Sequence, residues 1–399
     1  MENIQLHNKL AMESISSDLI NIEDKYRSNM FNWRGQFSPQ LIESLLIHYA
    51  SEGNVVFDPF LGSGTTLLES SRLGLEAYGC EINPAAHIFS KIYELINIDP
   101  AQRDNSIIFI DTFITRYIGN SVKDNKTEHE KFIHDLLLLK NDADFVVNNI
   151  ISALIISLNL EITKFSYDKC FKIWNNLKQN IKSLPFTSIP VKGFHCDARK
   201  SPLSNNSIDI VITSPPYINV FNYHQNYRKS VEKLGWDVLE IAKSEIGANR
   251  KFRGNRFITV VQYCMDLAEV YLELSRVCKS TAKIIFIVGK ESKVRKTPFY
   301  NADLLISVAE AIGFKKVGQQ QRSFKNKFGQ EIFEEVLRFE CKETIIKHTD
   351  AVEIARQIGI NGLIKAKTYA DNEFLSDITE AIEKAKSISV SPITKHKGV

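Results

Sequence analysis

The sequence predicts an α/β protein built on one doubly wound, mostly parallel β-sheet, with a helical insertion and a helical C-terminal tail. Short apolar runs, which are typical of buried parallel strands, alternate with helical patterns, and glycine-rich turns join them. Residues 100–190 interrupt this alternation with long helical patterns and few strand signals. The alternation is typical of a parallel sheet with helices on both faces.

The chain divides into three segments. A polar, partly helical lead-in (1–30) precedes a main α/β domain (31–340), which the insertion at about 100–190 interrupts, and an amphipathic helical tail (341–399) follows. Strands of the main domain are predicted at 54–58, 77–81, 193–196, 208–213, 284–288, 315–323 and 334–340, and helices at 65–73, 259–277 and 302–311.

Length and composition set the broad class. A chain of 399 residues, 44% of them hydrophobic, is long enough to bury an enzyme-sized core. Its net charge of +3 gives no overall basic field, so contact with nucleic acid must come from a local patch. The six cysteines form no C-x-x-C pair, so we expect neither a metal site nor a disulfide framework.

We expect a cytoplasmic protein with reduced thiols and no membrane partner. The N-terminus shows no secretory signal pattern. The most apolar stretch, Phe145 to Leu160, is too short and too polar to span a bilayer and is predicted to be a buried helix.

The first motif is the glycine-containing loop from Asp58 to Thr66, which leaves a strand and opens a helix. A phosphate loop would need a lysine after Gly64, and a dinucleotide loop would need a third glycine where Leu67 stands. The remaining functional interpretation is a nucleoside cofactor that carries an aminocarboxylate. Glu81, at the end of the next strand, is spaced to accept hydrogen bonds from ribose hydroxyls. A structural turn and a surface carboxylate are the alternatives.

The second motif is Ser214-Pro215-Pro216-Tyr217, which follows a strand of nearly unbroken β-branched residues. Two prolines remove two N–H donors and stiffen the turn, so we expect its carbonyl groups to point outward without local partners. Such carbonyls can accept hydrogen bonds from an amino group, and Tyr217 offers a face on which a base can stack. A plain Pro-Pro turn is the alternative.

This arrangement suits methylation of an exocyclic amino group of a base. Such a nitrogen is a poor nucleophile because its lone pair is delocalised into the ring. Acceptors on both N–H bonds would aim the lone pair at a methyl sulfonium, so the gain would come from positioning and preorganised electrostatics. The target base must leave the stack to reach the pocket.

Both motifs resemble those of the amino-group DNA methyltransferases, the N4-cytosine and N6-adenine class. The resemblance implies a Rossmann-like class I methyltransferase fold and S-adenosyl-L-methionine as cofactor. It also covers Arg34 to Pro39, which is similar to a segment that packs over the methionine moiety, and Asp197, which matches a position that contacts the cofactor adenine. The implied cofactor-binding residues are Phe37, Ser38, Pro39, Asp58, Pro59, Phe60, Gly62, Gly64, Thr65, Thr66, Glu81 and Asp197, and the implied catalytic residues are Ser214, Pro215, Pro216 and Tyr217.

The residue before Pro-Pro-Tyr carries information on the target base. Serine at this position is more similar to N4-cytosine enzymes, so cytosine is favoured over adenine. In many family members the glycine loop follows the Pro-Pro-Tyr motif, so its order here is permuted, and the long helical insertion is unusual. A C5-cytosine enzyme would need a cysteine after a proline, which the sequence lacks. A helix-entry turn (37–39) and a buried N-cap (Asp197) are alternative roles.

The stretch from Tyr217 to Arg256 interleaves aromatic and basic residues, which suits base stacking and phosphate contact. A solvated loop is the alternative. We expect double-stranded DNA as substrate, and a cognate restriction endonuclease as a possible partner that forms no stable complex. RNA methylation and an inactive DNA-binding subunit are the alternative functions. The predicted nucleic-acid-binding residues are Tyr223, Tyr227, Arg228, Arg250, Arg253 and Arg256.

Overall fold

The computed structural model describes residues 12–23, 25–120, 125–160, 165–218, 222–247, 252, 254–326, 329–341 and 346–393. The strands within them are β1 (Val55–Asp58), β2 (Glu76–Cys80), β3 (Val191–Phe194), β4 (Ile208–Thr213), β5 (Cys278–Gly289), β6 (Glu291–Val294), β7 (Thr297–Tyr300), β8 (Lys315–Lys325) and β9 (Glu331–Glu340). The α-helices are α1 (Ser17–Ile20), α2 (Pro39–Tyr49), α3 (Thr65–Arg72), α4 (Pro84–Tyr93), α5 (Pro100–Asn120), α6 (Lys126–Asn141), α7 (Phe145–Leu158), α8 (Tyr167–Lys182), α9 (Arg228–Lys233), α10 (Val238–Ile241), α11 (Ile258–Val277), α12 (Asn301–Ile312), α13 (His348–Lys367) and α14 (Leu375–Lys384).

The main sheet confirms the predicted fold class. Its described strands lie in the order β3–β2–β1–β4–β5–β9–β8. Strands β1 to β5 are parallel, and β9 runs antiparallel to both β5 and β8. Because β1 lies between β2 and β4, the winding of the sheet reverses there. Ligands of doubly wound sheets bind at such a switch point, beyond the carboxyl ends of the strands.

Side chains alternate between two hydrophobic layers along the central strands. Val56 and Ile210 contribute to the layer that contains α2 to α8. Phe57 and Val211 face the opposite layer, which contains α11 to α14. Residues that are buried on both faces explain why these strands read as continuous apolar runs in the sequence.

The lead-in and the tail both pack against the main domain, the lead-in on β8 and the tail on α11. In the lead-in, the Ile15 N–H donates to Gln320 Oε1 on β8 (3.2 Å), and Ile20 is fully buried. In the tail, α13 packs so closely on α11 that a Cβ added to Gly359 would lie 2.7 Å from the Cα of Val261. The boundaries predicted near residues 30 and 341 therefore separate segments of the sequence. In the structure all three segments pack together.

The β6–β7 hairpin was not predicted from the sequence. Its turn places Arg295 and Lys296 at φ values of 45° and 73°. Positive φ in a tight hairpin turn is usually supplied by glycine or asparagine, so this turn lacks the usual sequence signal. In the described part of the chain, no helix has both the length and the apolar character needed to cross a membrane.

Candidate active site at the switch point of the sheet

A cleft lies beyond the carboxyl ends of β1 to β4. It collects residues from segments that are far apart in the sequence. Its lining residues are Trp33 to Phe37, Pro59 to Gly62, Thr65, Cys80 to Asn83, Cys196 to Ala198, Ser214, Pro216, Tyr223 and Ser244 to Ile246. Seven of the predicted cofactor residues are among them: Phe37, Pro59, Phe60, Gly62, Thr65, Glu81 and Asp197.

The loop after β1 depends on its two glycines. Gly62 and Gly64 have φ values of 54° and 98°, which side chains rarely adopt. At Gly64 a Cβ would also come within 2.6 Å of the Tyr93 ring. Gly64 is the N-cap of α3, so the free N–H groups of the first helical turn face the end of the loop.

Asp58 stabilises this loop through hydrogen bonds and does not line the cleft. Its buried carboxylate accepts hydrogen bonds from the hydroxyls of Thr66 (2.7 Å) and Thr213 (2.6 Å) and from the Phe60 N–H (3.1 Å). Burial raises the pKa of Asp58 to about 6. Asp58, Gly64 and Thr66 were predicted as cofactor-binding residues; the structure gives them a supporting position, in which Asp58 ties the ends of β1 and β4 to the start of α3.

The segment before α2 is tied to the same loop. Asn29 joins the two, because its side chain accepts from the Thr65 hydroxyl (2.9 Å) and donates to the Phe37 carbonyl (2.7 Å). Phe37 thereby reaches the cleft. Ser38 is the N-cap residue of α2 and Pro39 is its first residue, which agrees with the alternative interpretation of 37–39 as a helix-entry turn. Both residues also line a second cavity.

Glu81 stands at the end of β2 with its carboxylate in the wall of the cleft. Oε2 accepts from the Gly62 N–H and Oε1 accepts from the Asn83 N–H, each at 2.7 Å. Burial raises the pKa of Glu81 to about 7, with Asp58 and Glu245 adding to the effect. Each oxygen retains a lone pair. The site therefore fits a nucleoside cofactor whose two ribose hydroxyls would donate to this carboxylate.

The raised pKa of Glu81 predicts a pH dependence for cofactor binding. Ribose hydroxyls donate to the carboxylate form, so binding favours deprotonation and lowers the pKa in the complex. We therefore expect affinity to rise with pH up to about 7 and then to level off, with a loss approaching about tenfold per pH unit below it. Calorimetric titration of S-adenosylmethionine at several pH values measures this, and a flat profile below neutral pH would contradict it.

Asp197, after β3, is held by an arginine that sequence reasoning missed. Its Oδ1 accepts from Arg199 Nε (2.9 Å) and from the Arg199 backbone N–H (3.0 Å), and its Oδ2 accepts from Arg199 Nη2 (2.7 Å). A turn follows Asp197. The alternative role of Asp197 as an N-cap would require a helix there. A lone pair on Oδ2 remains for an adenine amino group.

Arg199 connects the cleft to α11 and to the tail. Its Nη1 lies 3.3 Å from Asp266, 3.1 Å from Glu269 and 2.7 Å from the Ser391 carbonyl. Although burial lowers the pKa of Arg199, the hydrogen bond to Asp197 and the charges of three carboxylates raise it above its ordinary value. These residues are distant in sequence and carry no local motif, so only the packing of α11 and the tail reveals the network.

Ser391 completes the network, and its loss should destabilise the protein. The Ser391 hydroxyl donates to buried Asp266 Oδ2 at 2.5 Å. We expect Ser391→Ala to lower the free energy of unfolding by roughly 1.5 kcal/mol, because the lost bond is made to a charged acceptor. Urea unfolding measures the change. Ser387→Ala is the matched control, since that exposed tail hydroxyl donates only to the nearby Lys384 carbonyl; equal losses in both variants would contradict the prediction.

The turn from Ser214 to Tyr217, which the sequence predicts to be catalytic, borders the cleft at Ser214. The expectation that the carbonyl groups of this turn lack local partners is wrong for Pro216, because its oxygen accepts a hydrogen bond from the Tyr263 hydroxyl at 2.9 Å. Helix α11 supplies Tyr263, and no sequence signal near the turn indicates the contact. The Tyr217 ring lies over Gly289, where an added Cβ would come within 3.1 Å of it.

A second cavity, of about 900 Å³, lies on the other side of the turn. Both spaces are lined by Arg34 to Phe37, Ser214 and Tyr223, so they meet at the turn that begins with Ser214. The remaining walls come from the lead-in, the start of α2, the turn after β4, and β8 and β9 with the residue after β8: Ile22, Lys25 to Asn29, Ser38, Pro39, Pro215, Tyr217, Arg322, Phe324, Asn326 and Glu334. The sequence offered one signal for this wall, the basic and aromatic run Lys25-Tyr26-Arg27.

The predicted nucleic-acid residues do not form one surface. Tyr223 reaches both cavities and stacks on Trp33 with ring centroids 6.2 Å apart. Tyr227 also stacks on Trp33, and its hydroxyl donates to the Asn32 carbonyl at 2.5 Å. Arg228 pairs with Glu232 on α9 at 2.7 Å, whereas Arg256 is exposed. Arg250 and Arg253 lie outside the described residues.

Together the parallel sheet, the glycine loop after β1 and the acidic residue after β2 are features of the class I fold of S-adenosylmethionine-dependent methyltransferases. A family model described as DNA methylase matches residues 9–91. The Type II methyltransferase M.BsoBI of Geobacillus stearothermophilus is 21% identical over 79% of this chain and 85% of its own length. M.BamHI of Bacillus amyloliquefaciens is 28% identical over 30% of this chain and 32% of its own. The chain is therefore similar to amino-group DNA methyltransferases, through the family model over residues 9–91 and through M.BsoBI over most of its length.

Solved structures also match. A SAM-dependent methyltransferase from Methanosarcina mazei superposes with a TM-score of 0.33 at 10% identity, covering 74% of this chain and 96% of that one. Geranyl diphosphate C-methyltransferase from Streptomyces coelicolor A3(2) gives 0.34 at 8% identity, with 76% and 79% covered.

Proposed function

We propose that the protein transfers a methyl group from S-adenosylmethionine to the exocyclic amino group of a flipped base in double-stranded DNA, with N4 of cytosine as the target. The observation that supports this most is the meeting of two cavities at Ser214 and Tyr223. One space has the acidic and glycine-rich wall that suits a nucleoside cofactor, and the other is large enough for a base. The turn between them is where a methyl group would cross.

When bound, S-adenosylmethionine supplies an electrophilic methyl sulfonium. Glu81 and Asp197 would hold its ribose and adenine, while Phe37 and the Pro59–Gly62 loop would enclose its methionine part. The turn from Ser214 to Tyr217 would hold the target amino group, since its prolines fix the backbone and Tyr217 offers its ring for stacking. Because Pro216 already accepts from Tyr263, we assign one acceptor for the target amino group to a backbone carbonyl of the Ser214–Pro215 part of the turn.

Cytosine is proposed as the target because a neutral serine precedes Pro-Pro-Tyr, as in the N4-cytosine enzymes that this motif resembles. Type II methyltransferases among the relatives support a restriction–modification setting, in which a separate endonuclease would share the recognition sequence. We place phosphate contacts at Lys25 and Arg34, exposed residues that line the base cavity. From the sequence alone, these phosphate contacts were predicted in the stretch from Tyr217 to Arg256.

Methyl transfer to DNA of varied sequence tests the proposal. The protein is incubated with cofactor labelled on the methyl group, and the DNA is digested to nucleosides. We expect N4-methylcytosine, and methylation-sensitive sequencing then gives the recognition sequence. Formation of N6-methyladenine would support methylation of an amino group but would show that adenine, and not cytosine, is the target base. Transfer to RNA in preference to matched DNA would correct the substrate, and cofactor binding without transfer to any nucleic acid would contradict enzymatic activity.

A further inference from the structure

Three neighbouring strands place side chains at the same level of the sheet, beside the catalytic turn. Gly289 on β5 pairs with Glu334 on β9, and Glu334 pairs in turn with Arg322 on β8. Because Gly289 has no side chain, the Tyr217 ring lies over it and extends toward Glu334. The register of the sheet thus brings Glu334 next to Tyr217, although the two are 117 residues apart in the sequence.

Glu334 and Arg322 form an anchored acceptor–donor pair. Arg322 Nε lies 2.9 Å from Glu334 Oε2, and the Tyr217 hydroxyl lies 3.4 Å from Glu334 Oε1. Arg322 is itself fixed, because its Nη1 donates to the Ile20 carbonyl (3.2 Å) and its guanidinium packs on the Phe324 ring. The side chain of Glu334 is 16% exposed, and both residues line the second cavity. The carboxylate is therefore held in place and still faces a space that a base can enter.

We propose that Glu334, positioned by Arg322, reads the polar edge of the target base; this rests on the function proposed above. Flipped bases are recognised by hydrogen bonds to their Watson–Crick edge together with stacking. Cytosine and adenine each present an amino donor beside a ring-nitrogen acceptor. The Glu334 carboxylate accepts from the second N–H of the amino group, which the turn does not bind, and the adjacent Arg322 guanidinium donates to the ring nitrogen.

The same pair discriminates against thymine. Thymine presents a carbonyl oxygen where cytosine has its amino group, and a carboxylate cannot donate to it. The two oxygens would be left facing each other without a hydrogen, which is costly in a partly buried site. The choice of an amino-bearing base is thus made on β8 and β9 as well as at the turn.

Glu334→Gln tests the assignment, because it keeps the size of the side chain and replaces a charged acceptor oxygen with an amide donor. On a duplex that contains the recognition sequence, we expect kcat/KM to fall roughly tenfold to a hundredfold, the range for one base contact. Affinity for S-adenosylmethionine should stay at the wild-type value. Glu340→Gln is the matched control, since Glu340 lies at the far end of the same strand, 3.7 Å from Lys315 of β8.

A duplex with an abasic site at the target position separates a base contact from an indirect effect on the fold. If Glu334 reads the base, Glu334→Gln weakens binding of the intact duplex and leaves binding of the abasic duplex unchanged. Equal weakening of both duplexes, or of neither, overturns the proposal. A wild-type protein that methylates no DNA would instead overturn the proposed function, so the two failures are distinguishable.

Discussion

Glu81→Gln is expected to weaken binding of S-adenosylmethionine by roughly a hundredfold. Both carboxylate oxygens already accept a backbone N–H, from Gly62 and from Asn83. The amide supplies one neutral acceptor in place of two charged oxygens, so both ribose hydroxyls lose a charged partner in the complex, each at a cost of about 1.5 kcal/mol or more. Titration calorimetry without DNA measures the loss directly.

A matched control for this variant lies on the same strand. Glu76 begins β2 at the end away from the cleft, so Glu76→Gln makes the same chemical change outside the site. Its affinity for the cofactor should equal that of the wild type. Wild-type affinity in Glu81→Gln as well would show that the ribose is not held at the end of β2, and the assignment of the cleft would then fail.

Tyr217→Ala is expected to lower the rate of methyl transfer by roughly a hundredfold or more, with little change in cofactor affinity. Stacking on an aromatic ring contributes about 1 to 3 kcal/mol per base, and a misplaced target can cost a further hundredfold or so in rate. Single-turnover transfer at saturating cofactor and DNA measures the chemical step apart from binding.

Two further measurements keep this result interpretable. Tyr217→Phe retains the ring and loses the hydroxyl, whose contact with Glu334 is long at 3.4 Å, so we expect its rate to stay within a few-fold of the wild type. Cofactor affinity reports whether Tyr217→Ala still folds, because the ring also covers Gly289. Transfer at the wild-type rate by a folded Tyr217→Ala would mean that the target base is not held at this turn.

Most of the central sheet was readable from the sequence because its strands are buried on both faces. The run Ile208–Thr213 was predicted with the bounds that the structure has, since nearly continuous β-branched residues leave few alternatives. β5 is longer than predicted, because it begins at Cys278 in a polar stretch that only pairing with its neighbours makes extended. The insertion was recognised as helical, but its packing into the layer beside α4 depends on contacts far along the chain.

The sequence by itself determined the conformations of two short segments of the site, the loop after β1 and the turn after β4. Glycines with positive φ shape the loop after β1, and prolines shape the turn after β4, so each conformation depends on a few consecutive residues. The tertiary structure alone decided which distant side chains join them. The Tyr263 hydroxyl donates to the Pro216 carbonyl, and Arg199 donates to the Asp197 carboxylate. The Tyr217 hydroxyl contacts the Glu334 carboxylate. Such contacts depend on strand register and helix packing, which residues neighbouring in sequence do not encode.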